Sequence, residues 1–160
     1  MLEEGVLMSF NIEQAILSDV LIQVFEEATF IFLENVPVAP AWSDDPISVT
    51  MSFEGPNEEK GTLLMITSPK LSSELAANML GTEPDDPESV QRGVSAFKEM
   101  INVIGGVLMG EVFGQNAVCN LGIPESEIVS IAELESKMKD VQGCVYMVDE
   151  DDNRIDFASV

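Results

Sequence analysis

The chain contains no histidine. Without an imidazole, Ser-His-Asp and Cys-His nucleophile schemes, His-ligated zinc and imidazole acid–base chemistry are all excluded. Positive charge is scarce as well. Seven lysines and arginines stand against 29 aspartates and glutamates, a formal net charge of −22. Such a chain repels phosphate backbones and anionic lipid, which argues against nucleic acid and membrane surfaces as partners. Only two cysteines are present, Cys119 and Cys144, and no CxxC pair occurs. A zinc knuckle or dithiol centre is therefore unsupported, and the two thiols read as reduced and buried in a cytosolic protein. No apolar run approaches the ~18 residues of a membrane span. The segment Met1-Leu2-Glu3-Glu4-Gly5 lacks the positive start of a signal peptide. The expected location is cytoplasmic.

What is present is enough for a folded domain. The 160 residues are 46% apolar, which supplies a real core and fits a single domain. Residues 1–9 read as a flexible leader, with Met8 as an alternative start, and residues 10–160 as one unit. Ile12, Ile16, Val20, Val24 and Ala28 recur at i+4 steps, flanked by Leu17, Leu21 and Phe25. This pattern predicts a first helix over residues 12–33, capped by Asn11. Ile47, Val49, Met51 and Phe53 alternate with Ser48, Thr50 and Ser52 as in a half-buried strand. Residues 61–67 form its hairpin partner. Ser68-Pro69 opens a short helix that Gly81 stops, and Asp86-Pro87-Glu88 caps a long helix running to about Phe113. Residues 117–123 read as a strand leading into Pro124. Residues 125–140 are ambiguous, with a short helix expected over 133–139. A last hairpin is expected over 143–148 and 154–159. The order predicts an α+β fold, helices packed on a largely antiparallel sheet.

The long helix carries the functional signal. Val94, Phe97, Ile101, Ile104, Leu108 and Val112 cluster on one side at ~100° per residue. Ser95, Glu99, Asn102, Gly106 and Gly110 fall opposite them, and Val103 lies well off the core stripe. Glycine in an exposed helix interior costs about 1 kcal/mol relative to alanine. Gly105 and Gly106 beside a carboxylate and a carboxamide leave room for another surface to come close. That surface is either a second helix of the same domain, with Glu99 and Asn102 merely solvated, or a partner. At i,i+3, Glu99 and Asn102 are neighbours on one face. A carboxamide donates and accepts, so it can hold a water in one orientation, and a carboxylate can pair with a partner lysine. Neither is a nucleophile here; the pair suits positioning a water for attack on an activated group. The bare E-x-x-N spacing is weak, because it recurs at Glu54/Asn57 and Glu150/Asn153, both in predicted turns.

The longer string is more specific. Ser95, Glu99, Asn102 and the Val-Ile-Gly-Gly stretch ending at Gly106, followed by Pro124, resemble the signature of the CheC/CheX/FliY chemotaxis phosphatases, CheX above all. The hairpin from Phe53 through Gly61 and the following Leu75–Gly81 helix match as well, so the likeness spans roughly residues 10–160. The gap from Asn102 to Pro124 is one residue shorter than the usual pattern. The first helix carries no Glu-x-x-Asn, whereas CheC-type members can carry two such motifs.

The resemblance implies a phosphatase that hydrolyses the aspartyl phosphate of a CheY-like response regulator. Glu99 would pair with the partner's active-site lysine and Asn102 would orient the attacking water, with Ser95, Gly105, Gly106 and Pro124 in support. Mg²⁺ would sit on the partner, and no metal or organic cofactor is expected on this chain. A homodimer is expected too, since CheX-like relatives dimerise and strand edges need covering. The alternative is a non-enzymatic receiver-binding or motor-switch module on the same fold. Asp149, Asp151 and Asn153 mimic the start of a calcium loop. Arg154 stands where that loop needs glycine and Val160 where it needs glutamate, so a solvated hairpin tip is expected.

Overall fold

The computed structural model describes residues 10–160, with residues 89–91 described by their backbone only. Four helices pack on an antiparallel sheet. The elements run α1 (Gln14–Thr29), β1 (Glu34–Asn35), β2 (Ile47–Glu54), β3 (Lys60–Thr67), α2 (Pro69–Leu80) and α3 (Pro87–Phe113). They continue with β4 (Asn120–Leu121), β5 (Glu125–Ile128), α4 (Ile131–Met138), β6 (Val145–Val148) and β7 (Arg154–Ser159). The strand order is β1-β6-β7-β3-β2-β4, and β5 also pairs with β2.

Strand periodicity decides which face holds which helices. Val49, Met51, Phe53, Leu63 and Met65 point into the main core, where they meet Leu17, Leu21 and Phe25 of α1, Leu75 of α2, and Phe97, Ile101 and Leu108 of α3. The intervening Leu64 and Ile66 point the other way, onto Leu134 of α4, Val129 and Trp42. On that second face Arg154 donates to Asp156 at 2.8 Å through both Nε and NH2, and to the Pro40 carbonyl at 2.7 Å. Its guanidinium lies 4.1 Å from the Trp42 ring centroid. These contacts fix the long β1–β2 connection across the sheet.

The caps of α2 and α3 form as their sequences predict. The Ser68 side chain accepts from the Leu71 N–H, and Gly81 takes the left-handed conformation at φ 74°. The Asp86 side chain accepts from the Glu88 N–H, with Pro87 opening the helix.

The first helix is shorter than predicted at both ends. Asn11 does not cap it: the helix starts at Gln14, and Glu13 precedes it without a side-chain cap bond. Residues 10–12 are tied to the sheet instead. Phe10 N–H donates to the Lys60 carbonyl at 2.7 Å, and Ile12 N–H to Ser159 Oγ at 3.3 Å. Ile12 is still a core residue, which is why it extended the apolar stripe. At the other end Phe30 turns left-handed at φ 59°. From there Ile31 and Leu33 are buried while Phe30, Phe32 and Glu34 are exposed, a period of two rather than 3.6. Ala28 lies exposed, outside the buried stripe.

Of the strand expected over 117–123 only β4, Asn120–Leu121, forms, and a second short strand, β5, follows Pro124 in the stretch that the sequence left ambiguous. Both pair with β2, β4 through Phe53 and Glu54, β5 through Ile47 to Thr50. Gly122 N–H donates to Ser52 O at 2.8 Å, and Pro124 has no N–H to continue the ladder. In the ambiguous stretch, α4 starts at Ile131, two residues earlier than expected, with the Ser130 hydroxyl accepting from the Glu133 N–H.

Candidate functional site

Helix α3 crosses the sheet with its apolar stripe buried. Phe97, Ile101, Ile104 and Leu108 are core residues, while Ser95, Glu99, Asn102 and Gly106 are exposed. Val103 is 40% exposed. The outer face is therefore open to solvent, and among the described residues no second helix covers it. Among the described residues, no side chain hydrogen-bonds or ion-pairs with those of Ser95, Glu99 or Asn102. Their hydrogen-bonding capacity is left for water or a partner.

The two glycines behave differently. A Cβ on Gly106 would meet nothing within 4 Å, as expected of a position kept open on the outer face. Gly105 is turned inward, contrary to the expectation that it would clear space for a docking surface. A Cβ there would overlap the Met51 methyl and lie 3.4 Å from Leu121 Cδ2. Gly105 lets α3 settle onto β2 and β4, because residue 105 follows Ile101 by one turn on the sheet side. Gly110 is half-buried, with the Gln115 side chain folded against it.

Across from the helix, the break between β4 and β5 supplies the opposite wall. Ser95, Lys98, Glu99 and Asn102 of α3 face Gly122, Ile123 and Pro124 around an open groove of about 450 Å³. Pro124, 22 residues after Asn102 in the chain, thus joins Ser95, Glu99 and Asn102 in one place. Ile123 is 85% exposed at the rim. Lys98, Gly122 and Ile123 were not singled out from sequence. Lys98 was legible at i+3 from Ser95 and i−4 from Asn102, whereas the other two depend on how the edge strand breaks. The background pairs sit in turns: Asn57 N–H donates to Glu59 Oε1 at 2.7 Å, and Asn153 Nδ2 donates to Asp149 Oδ2 at 3.0 Å.

Solved structures share this arrangement of helices and sheet. A CheX chemotaxis protein from Desulfovibrio desulfuricans superposes with a TM-score of 0.64 at 11% identity, over 91% of this chain and 96% of its own. A chain of the CheX–CheY–BeF3–Mg²⁺ complex from Borrelia burgdorferi gives 0.65 at 15% identity, over 91% and 95%. The chain has the CheX fold. FliY from Thermotoga maritima is more distant, at 0.52 and 16% identity over 90% and 82%. No family model and no curated protein sequence matches the chain.

On the CheX fold, one other polar cluster stands apart from the α3 groove. Carboxylate oxygens of Glu74, Asp149 and Asp151 lie within 4.8 Å of one another. Those three could share a cation by distance alone. Asp149 is 7% exposed, not solvated as the hairpin-tip reading had it. Its Oδ1 accepts from the Asp151 and Asn153 N–H groups at 2.9 and 2.8 Å, so it organises the β6–β7 turn. Burial, with the hydrogen bond and negative charge of Asp149 beside it, pushes the Glu74 carboxyl up to about 7. A larger groove of about 850 Å³ lies beside the β2–β3 turn, around Phe10, Phe53, Lys60 and Leu121. Its acidic residues, Glu54, Glu58 and Glu59, line the turn itself.

Proposed function

We propose that the chain is a cytoplasmic phosphatase of the CheC/CheX/FliY kind, hydrolysing the aspartyl phosphate of a CheY-like receiver domain. The observation that carries this reading is the groove in which Ser95, Glu99 and Asn102 project from one helix face toward Pro124. The fold supports it, as does the neighbour whose structure was solved with CheY, BeF3 and Mg²⁺.

The chemistry asks little of this chain beyond geometry. Mg²⁺ and the phosphoryl group belong to the partner. The Asn102 carboxamide enters the partner's pocket and holds one water in line with the phosphorus. Water oxygen bonds to phosphorus, the bond to the aspartyl oxygen breaks, and the aspartate leaves as a carboxylate. Inorganic phosphate takes the new oxygen, and the released proton passes to solvent. Phosphoryl transfer passes through a loose transition state, so catalysis comes mainly from positioning and charge stabilisation. Glu99 pairs with a lysine of the partner, which fixes the register of α3 on the receiver. Ser95 and Pro124 shape the groove, Gly105 seats the helix on the sheet, and Gly106 keeps the approach open. A homodimer belongs to the same proposal: all four residues of β5 are exposed, and β5 pairs only with β2 among the described strands.

The test is phosphate loss from a panel of phosphorylated receiver proteins, timed with and without this chain. Faster loss from one of them supports the phosphatase. Binding without acceleration would replace it with a receiver-binding module.

A further inference from the structure

We propose that Lys98 binds the partner's phosphoryl group and makes docking depend on its charge. This inference rests on the phosphatase reading and adds to it a source of selectivity for the phosphorylated receiver.

Lys98 is the one positively charged residue among those lining the α3 groove. It sits one turn before Asn102, so the two side chains are neighbours on one helix face. It is half-buried, yet no described carboxylate lies within ion-pair distance of it. Lys60, Lys70 and Lys139 likewise form no ion pair among the described residues, but none of them lines the α3 groove. Arg92, Lys137 and Arg154 are each paired with a carboxylate, at 3.3, 3.0 and 2.8 Å.

Charge decides how such a surface meets an acyl phosphate. Phosphorylation adds negative charge to the partner's pocket, and a chain of net charge −22 gains nothing from that at long range. At physiological ionic strength, however, interactions are screened beyond about 8 Å. The charges that count are those in the groove, Glu99 and Lys98. With Glu99 engaged by the partner's lysine, the Lys98 ammonium is left to face the phosphoryl oxygens. An ammonium is a compact point charge with three donors, suited to such oxygens without demanding one geometry. It favours the bound ground state and the transition state alike, so its loss appears in affinity rather than turnover.

The experiment compares wild type, Lys98→Met and Lys98→Arg on a receiver in two forms, unmodified and loaded with beryllofluoride, together with steady-state turnover of the phosphorylated form. Lys98→Met should weaken binding to the beryllofluoride form on the order of 10-fold and raise KM similarly, leaving kcat within about 2-fold. Binding to the unmodified form should stay unchanged, and Lys98→Arg should recover most of the loss. An unchanged melting temperature excludes misfolding. Equal binding of both forms by Lys98→Met and wild type, or equal weakening on both forms, would overturn the inference while leaving the phosphatase intact. A wild type that binds the beryllofluoride form selectively but never speeds phosphate loss would overturn the phosphatase and leave the Lys98 comparison decisive. A wild type that binds neither form overturns both.

Discussion

Glu99 and Asn102 sit one turn apart on the same exposed face of α3, but their proposed tasks leave different kinetic traces. An intermolecular ion pair acts mainly on association and affinity. Glu99→Ala should therefore raise KM by about 10-fold with a smaller fall in kcat; a pure kcat effect would remove the lysine pairing from the account. Glu74 makes a prediction about stability. Its carboxyl is pushed up to about 7 by burial and by Asp149, so the folded state holds that proton more tightly than the unfolded chain. Its contribution is fully present below the ordinary glutamate range and is lost as pH rises through about 7. Glu74→Gln should raise the melting temperature relative to wild type increasingly from pH 5 to about 8; an offset independent of pH would show that folding does not raise the Glu74 carboxyl. At this scale the site was largely legible. Ser95, Glu99 and Asn102 follow helical spacing, which fixes a common face before any fold is known. Lys98 was missed because the outer face was judged for carboxylate and carboxamide chemistry. Ile123 was missed because its position depends on a strand break seen only in three dimensions. Glu74 was missed because Asp149 meets it across 75 residues of chain.

Helix α3 shows how one element serves both the core and the site. Gly105 and Gly106 are adjacent, about 100° apart around the helix, one against Met51 and Leu121, the other in open space. Gly105→Ala gains helix propensity, about 1 kcal/mol, but must displace the Met51 methyl, so it should come out less stable than Gly106→Ala by about 1–2 kcal/mol. Gly106→Ala should be neutral or stabilising by up to about 1 kcal/mol, since it only raises helix propensity. Urea titration of the two variants checks this, and equal effects would contradict the assignment of faces. The helices with clear punctuation, Ser68-Pro69 to Gly81 and Asp86-Pro87 onward, were legible to the residue at their starts. Helix α1 was not. Its apolar stripe runs on into Ile31 and Leu33, and a short apolar stretch fits a period of two as well as one of 3.6. Its start was misplaced because sheet contacts from Phe10 and Ile12 outweigh the local cap offered by Asn11. The edge strands at Asn120–Leu121 and Glu125–Ile128 are too short for periodicity to separate them.

For the molecule as a whole, the sheet leaves an exposed edge at β5. Such edges need covering or charge, and Glu125 and Glu127 lie on this one. The proposed homodimer therefore brings acidic surfaces together. Light scattering should find a dimer at micromolar concentration that tightens with added salt, as screening weakens repulsion; a monomer at every salt concentration would contradict it. Composition and charge alone had narrowed the chemistry. A chain without histidine has no imidazole-based nucleophile scheme to offer, and water positioning is the task proposed for its polar pair. The decisive measurement is the rate of phosphate release from the phosphorylated cognate receiver with wild type and with Asn102→Ala. The wild type should accelerate release, and Asn102→Ala should lose on the order of 10²-fold in rate, about 3 kcal/mol, with an unchanged melting temperature, while Asn57→Ala stays near normal. Full activity in Asn102→Ala would contradict the account.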